Sequence, residues 1–184
     1  MSCTVEEARA VLANADCCYN SEQLNDALDV LARRISADYA DKNPLFLCVM
    51  NGGLMTTAQL LLRLSFPLQY DYIHATRYRG ATSGGDLHWY AKPSIPIEDR
   101  YVVLIDDIFD EGITLTKLLE YCKNAKAKQA EAIVLVNKLH DRKEGTMPKY
   151  VGVEVEDRYV FGFGMDYKGY LRNANGIYAV KETS

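Results

Sequence analysis

Between residues 5 and 40 the apolar positions recur at helical spacing. Val5, Ala8 and Leu12 mark a first helix. Leu24, Leu28, Leu31 and Ile35 form the buried stripe of a second, which starts after Asn20 with Ser21 as N-cap and is broken at Lys42-Asn43-Pro44. Leu45 to Met50 is a short continuous apolar run, the pattern of a strand covered on both faces of a parallel sheet. Asn51-Gly52-Gly53 makes a turn, and Leu54, Ala58, Leu61 and Leu62 predict a helix behind it. Tyr70 to Thr76 reads as the next strand and Tyr101 to Ile105 as another wholly apolar one. A helix with Leu115, Leu118, Leu119 and Cys122 on one face follows, then a strand at Ala132 to Val136. From about Tyr150 the stretch VGVEVEDRYVFGFGM alternates as half-buried strands do.

Strands alternating with helices predict an α/β domain: a mainly parallel twisted sheet flanked by helices. In such sheets ligands bind beyond the C-terminal ends of the strands. Both the Asn51-Gly52-Gly53 turn and the segment from Asp106 to Thr114 fall there. No internal repeat or linker divides the chain, so residues 1–184 read as one domain. Arg77 to Trp89 (RYRGATSGGDLHW) is polar, glycine-rich and without period. A connection of that length in a compact domain is a functional lid or a disordered loop.

Composition narrows the function classes. With 184 residues, 48% hydrophobic and 25% charged, the chain can build a core without disulfides or metal staples. The formal net charge of -4 argues against a nucleic-acid partner, which calls for a basic footprint. The five cysteines, Cys3, Cys17, Cys18, Cys48 and Cys122, are odd in number and form no C-x-x-C pair, as in a reducing cytosol. The acidic N-terminus carries no signal-peptide pattern, and no apolar run spans a bilayer. A soluble cytoplasmic protein, with no membrane partner, is expected.

The chemistry concentrates in residues 101–114, YVVLIDDIFDEGIT. A buried strand delivers the adjacent carboxylates of Asp106 and Asp107 to the sheet edge, where they suit sugar hydroxyls or a divalent cation. Asp110, a glycine at Gly112 and the hydroxyl of Thr114 follow at a helix start, whose backbone N–H groups cradle a phosphate. A ribose 5-phosphate needs both parts. The bland alternative is a solvated acidic strand end before a capped helix. Gly162-Phe163-Gly164 lacks the third glycine of a dinucleotide fingerprint, and no Walker loop, nucleophile elbow or zinc-ligand spacing occurs.

This stretch resembles the phosphoribosyl pyrophosphate (PRPP) signature of the type I phosphoribosyltransferases. From about Leu45 to Arg172 the chain is similar to the hypoxanthine-guanine branch of bacterial type. The resemblance implies a core of about residues 36–138 and a small hood built from about 1–35 and 139–184. It further implies purine salvage: transfer of 5-phosphoribosyl from PRPP to hypoxanthine or guanine, giving IMP or GMP and pyrophosphate, with Mg²⁺ as cofactor and a homodimer or homotetramer as the assembly.

Residue by residue, the resemblance gives Asp106 and Asp107 the ribose hydroxyls, and Asp110 the N7 proton of the purine as catalytic acid or base. The 5-phosphate falls to the loop Asp110, Glu111, Gly112, Ile113 and Thr114. Glu111 and Ile113 depart from the commonest pattern of threonine and of lysine or a small polar residue, so Glu111 should turn its carboxylate away. Met50-Asn51-Gly52-Gly53 resembles the pyrophosphate loop, often cis at the bond matching Met50–Asn51. Lysine is frequent where Asn51 stands. Arg172 would approach the pyrophosphate, and Arg77 and Tyr78 would open the catalytic lid, which excludes water from a reactive sugar. Lys138 would donate to the purine O6, unless a one-residue slip puts Asn137 there. In Arg158-Tyr-Val-Phe-Gly-Phe-Gly-Met-Asp166, Tyr159 would stack on the base, Val160 bond it through its backbone and Met165 pack beneath. Asp106, Asp107 and Asp166 are the implied metal-side acids. His74, His88 and His140 match no catalytic position and read as structural or exposed.

Three rivals remain. A phosphoribosyltransferase for another base is opposed by Lys138 and the Tyr159 to Asp166 segment. A regulator of this fold that merely senses PRPP or a nucleotide is opposed by Asp110 and Asp166 together. A phospho-receiver domain carries its acid pair on the first strand, whereas here a strand–turn–helix unit precedes Asp106.

Overall fold

The computed structural model describes residues 3–77 and 87–181. Its elements are α1 (Val5–Asn14), β1 (Asp16–Asn20), α2 (Ser21–Tyr39), β2 (Leu45–Val49), α3 (Leu54–Leu61), β3 (Gln69–Arg77), β4 (Leu87–Ala91), β5 (Tyr101–Phe109), α4 (Ile113–Asn124), β6 (Gln129–Leu139), β7 (Tyr150–Glu156), β8 (Val160–Phe161) and β9 (Gly176–Ala179). Six strands form the large sheet in the order β4-β3-β2-β5-β6-β7. All its pairings are parallel except β3 with β4. Order reverses beside β2 and β5, which places the ends of these two strands at the centre of the C-terminal edge.

The continuous apolar runs are explained by cover on both faces. Along β2, Phe46 faces one core with Val103, Ile105 and Leu135, while Leu45, Leu47 and Val49 face the other with Val102, Leu104 and Val134. Helix α2 closes the first face through Leu24, Leu28, Leu31 and Ile35, all fully buried. Each such side chain contributes about 1.5–3 kcal/mol relative to exposure. Helix α4 closes the second through Leu115, Leu118 and Cys122. Leu119, expected on that stripe, is only partly buried.

Three expectations at element ends change. Asn20, not Ser21, caps α2: its side chain accepts from Gln23 N–H while Gln23 reaches back to the Asn20 N–H, and Ser21 is already the first helical residue. The five residues before it form β1, whose apolar run, Cys17-Cys18-Tyr19, is too short to signal a strand. Strands β5 and β6 run past their apolar cores, to Phe109 and Leu139, because parallel partners continue to pair there.

A second, three-stranded antiparallel sheet has the order β1-β9-β8 and packs with α1 around Ala8, Phe161 and Tyr167. Chain ends distant in sequence thus build one small layer. The large sheet nevertheless takes β7, and its core takes α2, from outside residues 36–138. Of the expected lid at residues 77–89, Leu87 to Trp89 are the start of β4. Tyr78 lies outside the described residues.

Candidate active site

Two adjoining clefts open at the C-terminal edge of the large sheet. The larger, about 590 Å³, is walled by Met50, Asn51 and Gly52 from the β2–α3 turn, Asp106 and Asp107 from β5, the run Asp110 to Leu115, and Asp166 and Arg172. His74, Ala75 and Thr76 of β3 complete it. The smaller, about 280 Å³, is walled by Asp107, Ile108, Asp110, Lys138, Tyr159, Val160, Met165 and Asp166. Asp107, Asp110 and Asp166 border both. Every site residue named from the sequence whose side chain is described lies on one of these clefts, and Arg77 ends β3.

The acid pair is held by its own backbone. Asp106 Oδ1 accepts from Asp107 N–H at 2.9 Å, and Asp107 Oδ1 accepts from Ile108 N–H at 2.7 Å. Burial raises the carboxyl of Asp106 well above the usual carboxylate range, and the neighbouring Asp107 charge adds to the rise. Burial also raises Asp107, against the hydrogen bonds it receives. Two acids are therefore held close together in a place that disfavours their charge, an arrangement that a cation or sugar hydroxyls would relieve.

At the neighbouring turn the Met50–Asn51 peptide is cis. Gly52 rests on Asp107, and Gly164 in turn lies against the Gly52 carbonyl, where a Cβ would stand 2.1 Å from the oxygen. Three segments remote in sequence therefore meet beside the larger cleft, Gly52 against a side chain and Gly164 against backbone.

Past the acids, β5 ends and Gly112 turns the chain into α4 with φ 86°, left-handed backbone that favours glycine. A Cβ there would also stand 2.4 Å from the Phe109 ring. No side chain caps this helix, and Ile113, Thr114 and Leu115 of its first turn line the cleft. Such an end is suited to an anion. The Glu111 carbonyl accepts from Glu144 N–H at 2.9 Å, tying the loop to the segment after β6.

Asp110 meets two side chains through its carboxylate. Lys138 Nζ donates to Oδ2 at 2.8 Å and His140 Nε2 meets Oδ1 at 2.6 Å. Burial alone would raise this carboxyl, but the bonds from Lys138 and then His140 outweigh it and hold it below the ordinary carboxylate value. Lys138, not Asn137, faces the site: Asn137 is buried and donates to Glu154 Oε1 at 3.2 Å. His140 had no place among the functional residues in the sequence. Its side chain is only 3% exposed, and its ring is pinned to Asp110. No spacing pattern signals this; only the observed length of β6 brings residue 140 over the Asp110 loop.

Asp166 accepts from Gly169 N–H at 2.7 Å and pairs with Arg172 Nη2 at 2.7 Å, while Arg172 Nη1 donates to the Gly164 carbonyl at 2.7 Å. The guanidinium is thereby fixed at the rim of the larger cleft. Tyr159 is half exposed, with its ring against Tyr167 and its hydroxyl donating to the Asp166 carbonyl at 3.3 Å. One flat face beside Val160 and Met165 gives the smaller cleft an aromatic wall. Among the described residues no cluster of three or more His, Cys, Asp or Glu forms a ready-made metal site.

Residues 18–168 match the phosphoribosyl transferase domain family. The chain is 33% identical over 166 residues to a hypoxanthine-guanine-xanthine phosphoribosyltransferase of Tritrichomonas foetus, covering 90% of this chain and 91% of that one. To the hypoxanthine-guanine phosphoribosyltransferase of Bacillus subtilis (strain 168) it is 30% identical over 163 residues, covering 88% and 91%. Among solved structures, a hypoxanthine phosphoribosyltransferase from Staphylococcus aureus superposes with TM-score 0.85 at 26% identity, covering 90% of this chain and 91% of the other.

Proposed function

Because this chain belongs to the phosphoribosyltransferase family, we propose that it carries out the purine-salvage reaction of the hypoxanthine-guanine branch, joining PRPP to a 6-oxopurine with release of pyrophosphate. The observation that carries the reading is the pair of clefts sharing Asp107, Asp110 and Asp166. One has a phosphate-binding helix end, paired acids and an arginine. The other has an aromatic wall and a lysine, at the size of a base.

In this reading the first-turn amides of α4 hold the 5-phosphate, and Thr114 adds its hydroxyl. Asp106 and Asp107 accept from the ribose hydroxyls. The amides of Asn51 and Gly52, together with Arg172, receive the departing pyrophosphate. Tyr159 and Met165 sandwich the base, the Val160 backbone bonds its edge, and Lys138 donates to O6. Adenine would set its amino group against that lysine, donor to donor, which accounts for a 6-oxopurine preference. The bond from C1 of the sugar to pyrophosphate breaks as N9 of the base bonds to C1. Asp110, ionised because of its two donors, takes the proton from N7.

The donor set also fits Mg²⁺. Magnesium is commonly held by one or two carboxylates with substrate phosphates completing the shell, and Asp106, Asp107 and Asp166 supply carboxylates beside the phosphate cleft. When bound, the ion neutralises charge building on the pyrophosphate. The five thiols are all free, which fits action in the reducing cytoplasm, and no helix among the described residues is long and apolar enough to cross a membrane. Exposed Tyr70, Tyr72 and Tyr90 on β3 and β4 offer an aromatic face for a second copy of the chain, in a homodimer or homotetramer.

The test is direct. The protein is incubated with PRPP, Mg²⁺ and, in parallel, hypoxanthine, guanine, xanthine and adenine, and both nucleotide and pyrophosphate are measured. IMP or GMP formation is expected, with little AMP. Binding of PRPP without pyrophosphate release would instead identify a sensor.

A further inference from the structure

His140 stands behind Asp110, outside the walls of both clefts. Its Nδ1 accepts from the backbone N–H of Arg142 at 3.0 Å. That bond decides the tautomer. A nitrogen accepting from a backbone N–H carries no proton of its own, so the neutral ring bears its proton on Nε2 and donates it to Asp110 Oδ1 at 2.6 Å.

The turn that presents His140 is itself anchored. Arg142 grips Asp157 with two bonds, of 2.7 and 2.9 Å. Lys143 Nζ donates to the carbonyls of Phe109 and Asp110 at 3.1 Å each. Residues 140–144 therefore clasp the Asp110 loop from outside, at its carboxylate and at three of its carbonyls, counting Glu111.

Lys138 and His140 differ in what substrate does to them. Lys138 borders the base cleft, and its role at O6 draws the ammonium toward the substrate. Asp110 then has one donor left that the substrate never reaches. Resting on the reading of the site given above, we infer that His140 is the positioning residue for Asp110: it fixes Oδ1 so that Oδ2 is presented to N7 when Lys138 turns to the base.

The experiment compares His140→Leu, which removes the donor but keeps bulk, with His140→Gln, which returns an N–H near the Nε2 position. Loss of one hydrogen bond to a charged group corresponds to roughly a 10- to 100-fold fall in kcat for His140→Leu, with KM for PRPP within about twofold of wild type, since His140 meets the Asp110 carboxylate and not the first-turn amides of α4 assigned to the 5-phosphate. His140→Gln should recover most of the rate. In an Asp110→Asn background, His140→Leu should cost little more, because the two act as one unit. Wild-type kcat in His140→Leu, an equal fold loss in the Asp110→Asn background, or no recovery in His140→Gln would overturn the assignment. A variant that does not fold is recognised by circular dichroism, and the His140→Gln arm then decides. Nitrogen-15 NMR of histidine-labelled protein gives a readout apart from turnover. A neutral ring protonated on Nε2 is expected, with its shift moved by Asp110→Asn; a proton on Nδ1 excludes the arrangement. If wild type forms no nucleotide at all, the reading of the site fails first, and the positioning role falls with it even where the tautomer is found as expected.

Discussion

Gly52 lies on Asp107 with no room for a side chain: a Cβ built on it would stand 2.0 Å from Asp107 Oδ2. The carboxylate cannot retreat easily, because its other oxygen accepts from Ile108 N–H. Gly52→Ala is therefore expected to destabilise the protein by about 1–3 kcal/mol, as overpacking does, and to push Asp107 out of line. Thermal unfolding and the KM for PRPP would both register it. An alanine variant with wild-type melting and KM would mean that the turn yields more readily than its packing implies.

Asp106→Asn should separate stability from function. The native pair of acids is held in a place unfavourable to charge in the absence of ligand. Replacing one by a neutral amide removes that repulsion, and a gain of about 0.5–2 kcal/mol is expected for the ligand-free protein. Stabilisation by added PRPP and Mg²⁺ should at the same time disappear. Melting curves with and without ligand make the comparison, and a variant still stabilised by PRPP would remove Asp106 from ribose binding.

Asp110 predicts a pH dependence of known sign. Its folded-state value lies below the ordinary carboxylate one, so the ionised form is favoured by folding. The resulting stability is present above the unfolded value of about 4 and is lost as pH falls through the lower, folded value. Asp110→Asn should thus be less stable than wild type at pH 7, with the gap closing on acidification. The side chain is 44% exposed, so solvent screening keeps the gap small. Urea unfolding at a series of pH values measures it. At pH 7 the same variant should lose about 10²–10⁴ in kcat if Asp110 moves the N7 proton.

Lys138→Met keeps the length of the side chain and removes its donor. The kcat/KM for hypoxanthine should fall roughly 10- to 100-fold, while that for adenine holds or improves, so the preference between them narrows. Competition assays with the two bases read the ratio directly. An unchanged ratio would show that the choice of 6-oxopurine is made elsewhere.

The parts of this site legible in the sequence were those with local causes. The apolar run Tyr101 to Ile105 announces a strand covered on both faces, and the acids, glycine and threonine after it announce a site because they follow such a strand within one turn of chain. Helix α2 was legible for the same reason, through a stripe at helical spacing. What escaped depends on distant pairing. β1 is short and without an alternating pattern, and exists because β9, from the far end of the chain, lies beside it. His140 sits two residues beyond a lysine that the resemblance does pick out, yet its ring is placed by β6 continuing past Val136 alongside β7, by the Arg142 amide and by an acid 30 positions earlier. Periodicity carries no record of such contacts.

The double engagement of Asp110 has one more implication. An acid already satisfied by a lysine and a histidine offers little to a stray cation or a solvent proton, so the resting enzyme keeps its reactive carboxylate occupied. On the function proposed above, arrival of a base with an oxygen at position 6 would trade one partner for another, without passing through a bare charge. Turnover would begin with a handover at Lys138, and a molecule unable to take that lysine would leave the acid still engaged.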